Sequence, residues 1–326
     1  MNPADLCSYA DVFAACRQRI APYIHCTPVM CSRQIDELAG AMLSMKCENF
    51  QRMGAFKMRG AVNALLQLTP EQQQRGVVTH SSGNFAQALA LAASSVGTRA
   101  TIVMPRDAPE VKKNAVRGYG GTIVECEPIV EARQAATDRI VAETGATFIH
   151  PSDDLQVILG QGTAVAELLE QTPELDCVVT PVGGGGLVAG AAIAAALHAR
   201  AMGRPCPVYG GEPANVDDAF RSLKEGSIQE NPPGANTIAD GLKTYLGDVN
   251  FPIIQQGVRR IITVSEDQIV SAMRQIWQFM KLVVEPSAAV ALAAVFADPE
   301  TFAGKRVGLV LSGGNVDLDS LPFAKR

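Results

Sequence analysis

Short apolar runs alternate with longer helical patterns along most of this chain. From residue 77 the runs VVTHSSG, RATIVMP, GTIVECE and ATFIHP are separated by segments that read as helices from about Asn84 to Val96, near Pro109 to Tyr119, and from Glu131 to Thr144. A second series, DCVVTPVGGGG, CPVYGGEP, RRIITV and KRVGLVLSGGN, brackets helical patterns near Leu187 to Met202, Glu266 to Lys281 and Pro286 to Phe296. Short, continuously apolar strands that each lead into a helix are the signature of βαβ units in a parallel sheet covered on both faces. The pattern predicts an α/β fold of two open, mostly parallel twisted sheets facing each other across a cleft. The Pro/Gly-rich stretch QENPPGANTIADG reads as a long ordered loop rather than a linker.

Composition narrows the partners. A 326-residue chain that is 47% hydrophobic can bury one large core or two moderate ones. A net charge of -5 and 5% aromatic residues give neither a basic face for a phosphodiester backbone nor a base-stacking platform, so nucleic acid is excluded as a partner. The N-terminal MNPADLCSYADVF carries acids where a secretory leader needs cations, and the Ala-rich run from Leu187 to Leu197 is too short to span a bilayer. The expectation is a cytoplasmic protein with no membrane partner. The eight cysteines form no CxxC pair and read as reduced thiols, and His25, His80, His150 and His198 show no metal-ligand spacing.

In open α/β sheets, ligands bind just beyond the carboxyl ends of the strands. Three such junctions stand out. After DCVVTPV come Gly183, Gly184, Gly185 and Gly186, then an apolar helix; glycines there let backbone N–H groups converge, and the helix terminus adds partial positive charge, which together would cradle a phosphate. In THSSGNFAQA, Ser81, Ser82 and Asn84 either cap the following helix or bind a carboxylate or a ring hydroxyl. In LVLSGGNVD, Ser312 ends the last strand, as a turn former or as a hydrogen-bond partner for a ring nitrogen. A fourth feature is ENFQRMGAFKMRGA, where Lys57 lies between Phe56 and Met58 at the start of an apolar helix, close in sequence to Arg52 and Arg59.

Together GAFKMRGA, SSGNFAQA, PVGGGGLVAG and SGGN resemble the fold-type II pyridoxal-phosphate enzymes, specifically the serine/threonine dehydratase and serine racemase group, over nearly the whole chain. The resemblance implies a large cofactor-binding domain, residues 1–68 and 152–326, and a small substrate-side domain, residues 69–151, with a homodimer as the usual assembly. It assigns the Schiff-base lysine to Lys57, whose amine would be made nucleophilic by partial burial and neighbouring cations. Phe56, Asn84, Gly183 to Gly186 and Ser312 would hold pyridoxal phosphate, and Ser81, Ser82, Gly83, Asn84 and Phe85 would face the substrate. Ser82 matches the opposite-face base of the racemases. Glu212, the Val216 carbonyl and Asp218 match positions that hold Mg²⁺ or Ca²⁺ in such relatives, against the alternative that the two acids cap the next helix.

The implied activity is a lyase that removes water from a 3-hydroxy-L-amino acid and yields a 2-oxo acid and ammonia. Racemisation is the nearest alternative, β-replacement a further one, and a non-catalytic ligand-binding α/β protein the rival from another class. Two positions bear on the substrate. Phe85 stands where relatives usually have His, which favours an apolar β-substituent such as that of 3-phenylserine. Arg133 either lies at the surface or approaches an acidic side chain, as in 3-hydroxyaspartate; serine and threonine stay open as substrates.

Overall fold

The computed structural model describes residues 2 and 5–323. Its ten strands are β1 (Val29–Met30), β2 (Met42–Cys47), β3 (Val77–His80), β4 (Ala100–Pro105), β5 (Thr122–Cys126), β6 (Thr147–Phe148), β7 (Cys177–Pro181), β8 (Val208–Pro213), β9 (Val258–Val264) and β10 (Arg306–Leu311). They form two sheets, one ordered β1-β2-β10-β7-β8-β9 and one ordered β5-β4-β3-β6. Only β1 pairs antiparallel, with Val29 opposite Lys46; the other ladders are parallel. The α/β architecture of two mostly parallel sheets is therefore as the alternation implied. Residues 77–148 contribute every strand of the smaller sheet.

Both sheets are covered on both faces, which is why their central strands are continuously apolar. One core joins the units: Met58, Val62 and Leu65 of the helix Lys57–Leu66 pack with Leu89 of Asn84–Ser95, with Ile158 of Leu155–Gln171 and with Val188 of Gly186–Met202. On the opposite face of the larger sheet, Leu309 and Val179 meet Val290 of Pro286–Ala297 and Met273 of Glu266–Gln275. A small cluster under Val130–Thr144 covers the outer face of the smaller sheet. The helix Leu155–Gln171 lies against its neighbours backbone to backbone: a Cβ on Gly160 would be 2.5 Å from the Gly60 Cα, and one on Gly162 would be 2.5 Å from the Gly190 carbonyl oxygen. Such contacts pin the Lys57 helix in place, because no side chain larger than hydrogen fits there.

The helix expected from Glu266 to Lys281 is regular only to Gln275. It widens into a π turn over Ile276–Met280 and stops at Lys281, whose φ is 59°. Among the described residues no helix is long and apolar enough to cross a membrane. All eight cysteines are free thiols.

Candidate active site

The turn before Lys57 is strained. Met53 and Gly54 take φ values of 56° and 79°, and a Cβ on Gly54 would be 2.6 Å from Asn315 Oδ1. Left-handed Met is costly and persists only where its surroundings hold it. Here Asn315 Nδ2 donates to the Met53 carbonyl at 2.8 Å, Gly314 N–H to the Gly54 carbonyl at 2.9 Å, and Phe56 N–H to the Ser312 carbonyl at 3.0 Å. The start of the lysine helix is thus tied to the end of β10. From the other side Arg59, fully buried, is held by Glu48 at 2.8 Å and Glu167 at 2.7 Å.

Lys57 itself turns into the cleft. Its Nζ donates to the Pro151 carbonyl at 3.0 Å and lies 5.1 Å from the Phe56 ring centroid and 5.8 Å from that of Phe85. Loss of water around the amine lowers its pKa to about 8, while Glu285 pulls it upward. This corrects the expectation that neighbouring cations contribute to the depression. Arg59 is neutralised by its two carboxylates, and Arg52 Nη1 donates to the Tyr23 carbonyl. Burial accounts for the shift.

The glycine loop lies on the same wall. Ser152, next to Pro151, backs it: a Cβ on Gly186 would be 2.9 Å from the Ser152 carbonyl oxygen, and one on Gly184 would be 2.8 Å from Thr244 Oγ1. Gly183 is blocked by the Leu242 Cα at 2.8 Å, and Gly185, at φ 81°, by Asn250 Oδ1 at 2.6 Å. Asn250 Nδ2 donates to the Gly184 carbonyl at 2.9 Å, and Asp153 Oδ1 accepts from the N–H groups of Val249 and Asn250. Behind the loop the buried helix Gly186–Met202 starts from Gly185 with no side-chain cap. A side-chain-free loop opening an uncapped 17-residue helix, one residue's reach from the Lys57 amine's own acceptor, fits the phosphate of a pyridoxal cofactor.

The third wall comes from the smaller sheet. Ser81 N–H donates to the Val103 carbonyl at 3.2 Å, and Ser81 Oγ accepts from Gly83 N–H at 3.4 Å. The helix Asn84–Ser95 begins from Gly83 without a side-chain cap, so Ser81, Ser82 and Asn84 are not used as caps. Asn84 is held at both ends: its Nδ2 donates to the two oxygens of Glu285 at 2.9 and 3.1 Å, and its Oδ1 accepts from Asn315 Nδ2 at 2.9 Å. Glu285 is not visible as a site residue in the sequence; the only signal is an acid inside the apolar run LVVEPSAAV. Phe85 is 2% exposed and belongs to the shared core, with the Lys57 amine over its ring. Ser312, also 2% exposed, closes the wall at the end of β10.

Arg133 rides on Val130–Thr144 at the smaller sheet, and its Nε is buried without a partner. Its charge reaches His80, whose pKa is lowered by burial first and by Arg133 further on. The His80 ring lies edge-on to His150 at 5.9 Å. His150 is kept neutral by burial, with its pKa at about 4, and its Nδ1 accepts from Asp153 N–H at 2.7 Å and Ser152 N–H at 3.2 Å. The charges of Arg133 and Lys57 thus act on the two imidazoles, Arg133 on His80 and Lys57 on His150.

Glu212 and Asp218 do come together, away from this cleft. Both Glu212 oxygens accept from the first turn of Asp218–Glu225, from Ala219 N–H at 2.9 Å and Phe220 N–H at 2.8 Å, so the helix-capping alternative holds for this residue. Asp218 Oδ1 accepts from Asn231 Nδ2 at 2.6 Å while its Oδ2 is buried without a partner. Burial and the Asp218 charge push Glu212 well above the usual carboxylate range, and burial lifts Asp218 to about 6. Val216 ends the intervening turn Ala214–Val216. Among the described residues no group of three or more His, Cys, Asp or Glu side chains forms a metal cage, so carbonyls and water would have to complete any coordination here.

The sequence and the fold resemble those of known proteins. The family model for pyridoxal-phosphate dependent enzymes matches residues 20–313. A serine racemase from Dictyostelium discoideum is 46% identical, covering 98% of both chains, and a beta-hydroxyaspartate dehydratase from Paracoccus denitrificans is 47% identical, covering 97% of this chain and 98% of its own. The crystal structure of a threonine deaminase from T.th. superposes with a TM-score of 0.88 at 41% identity, covering 94% of this chain and 98% of that one. The chain belongs to the pyridoxal-phosphate dependent enzyme family.

Proposed function

We propose that this enzyme is a dehydratase of 3-hydroxyaspartate-type amino acids, eliminating water across Cα and Cβ. Lys57 is the lysine that carries pyridoxal phosphate, with Phe56, Asn84, Ser312 and the loop Gly183–Gly186 completing the cofactor site. When bound, the cofactor draws electrons from the substrate's Cα–H bond and makes that proton acidic. Freed Lys57 takes the proton at its Nζ, for which a half-buried amine with lowered proton affinity is suited. The Ser81–Phe85 turn binds the α-carboxylate, Phe56 and Phe85 exclude water beside the amine, and the β-hydroxyl departs as water with the proton that Lys57 took from Cα. Hydrolysis of the released enamine gives the 2-oxo acid and ammonia.

The observation that carries the acidic substrate is Arg133: a buried guanidinium nitrogen with no partner, whose charge acts on His80, itself edge-on to His150. A buried donor left unpaired is costly, and a β-carboxylate would satisfy it. The relative named beta-hydroxyaspartate dehydratase supports this reading. Phe85 gives less support to 3-phenylserine, because its ring is spent on core packing. The test is kcat/KM for 3-hydroxyaspartate, L-serine, L-threonine and 3-phenylserine. 3-Hydroxyaspartate should lead, and Arg133→Leu should cost it about 10²-fold while leaving L-serine nearly unchanged; an unchanged ranking sinks the assignment.

Racemisation at the same centre is the second reading, supported by the serine racemase relatives and by Ser82 in the turn beside Asn84. Residues 69–151 act as the substrate-side unit. Glu212, the Val216 carbonyl and Asp218 hold Mg²⁺ or Ca²⁺ as a stabilising ion. The free thiols suit a reducing cytoplasm, and a homodimer follows from the family likeness.

A further inference from the structure

Glu285 is the N-cap residue of Pro286–Ala297, where an acid ordinarily turns back to accept from its own helix. It does not. Its side chain makes no cap bond, and both oxygens instead point across the cleft floor to the Asn84 amide. Room for this is made by Gly313, where a Cβ would be 2.9 Å from Glu285 Oε1, and the backbone is clamped there by Glu285 N–H to the Gly313 carbonyl at 3.1 Å. The residue is 4% exposed.

A buried carboxylate that gives up its cap and bridges two sheets has a job beyond packing. We propose that Glu285 is a positioning residue of this active site, fixing the Asn84 amide with its two oxygens and supplying the counter-charge that Lys57 meets inside the cleft. The first half follows from hydrogen-bond chemistry. A carboxylate accepts only, so it binds the Asn84 NH₂ and leaves the amide oxygen to face Asn315. Without it the amide is free to flip, since Asn315 could meet either end.

The second half follows from the charges around it. Lys57 from the first side, Asp240 from the loop after residue 238 and Lys112 from Glu110–Gly118 face Glu285, and Lys112 and Asp240 form an ion pair across the cleft mouth. Burial and Asp240 raise the Glu285 carboxyl to about 7, against about 8 for Lys57. Both residues are anchored at the end of β10, where Phe56 N–H bonds the Ser312 carbonyl and Glu285 N–H the Gly313 carbonyl, and from there the Glu285 charge opposes the loss of the Lys57 proton that burial promotes.

The inference rests on Lys57 being the reactive amine, so the experiment separates the two. Lys57 in the cofactor-free protein is labelled by reductive ¹³C-methylation and titrated by NMR, in wild type and in Glu285→Gln, with the labelled lysine assigned by Lys57→Arg. The charge-free variant should move the Lys57 titration down by on the order of one pH unit, with little change in Tm. Glu285→Ala, which also removes the acceptors, should weaken pyridoxal-phosphate binding by about tenfold or more, and Glu285→Gln should restore most of it through its amide oxygen. An unmoved Lys57 titration overturns the counter-charge, and unchanged cofactor affinity in Glu285→Ala overturns the hold on Asn84. Cofactor attached to another lysine would instead defeat the assignment of Lys57 itself.

Discussion

Two lysines eleven positions apart are withdrawn from water in very different company. Lys46, at the end of β2, has no exposed surface, and its Nζ donates to the Thr27 carbonyl, Glu167 and Gln171 at 2.7, 2.7 and 2.9 Å. All three of its protons are used, and a carboxylate balances its charge. Lys57 has one carbonyl acceptor, two aromatic rings and the charge of Glu285, a carboxyl that burial makes hold its own proton more tightly than usual. An amine with saturated partners is a structural cation; one with a single acceptor in a dry cleft is a base in waiting. Lys46 is the more deeply buried of the two, so it is the partners around the nitrogen that keep it a cation.

The largest effect that could break this contrast is at Lys57. Lys57→Ala should lower turnover by at least about 10³-fold and abolish the visible absorbance of bound cofactor, read by steady-state assay and absorption spectrum. Lys46→Met should do neither. Because Glu167 would keep Arg59 as partner, the loss should be about 3 kcal/mol of stability in denaturant unfolding, with the cofactor spectrum retained. A Lys46 variant that lost the spectrum while staying folded would erase the distinction.

The acids Glu212 and Asp218 sharpen it from the other sign. They are buried like charges with one orphaned oxygen, the reverse of the compensated network around Arg59. Adding Mg²⁺ or Ca²⁺ at about a hundred times its dissociation constant should stabilise the protein by about 2.7 kcal/mol, measured as a Tm shift reversed by chelator. The smallest effect is its pH dependence. Asp218 binds its proton more tightly folded, at about 6 against 3.8 unfolded. The ion-free protein should therefore lose stability as pH rises through that window, and saturating cation should flatten the slope. A slope unchanged by cation would leave the acids as helix caps alone.

Much of this is legible from residue order. The strand ends before Asn84, Gly183 and Ser312 announce themselves because short apolar runs stop abruptly at small polar residues. The helix Leu155–Gln171 escapes a reading by periodicity because it is buried on nearly all sides and carries Gly160 and Gly162, which weaken any helical pattern, yet those glycines are its packing surface. Sequence proximity misleads for the cations near Lys57, since two residues along a helix point to different faces and Arg59 turns into the core. Glu285 has no periodic signal at all. Its meaning comes from Asn84, 201 positions away, and only the fold brings them together.

The most direct test of the account is borohydride reduction of the holoenzyme, followed by peptide mapping. The cofactor should be fixed to the peptide carrying Lys57, in wild type and in Lys46→Met alike. Recovery of the label on Lys46, Lys243 or any other lysine would contradict it.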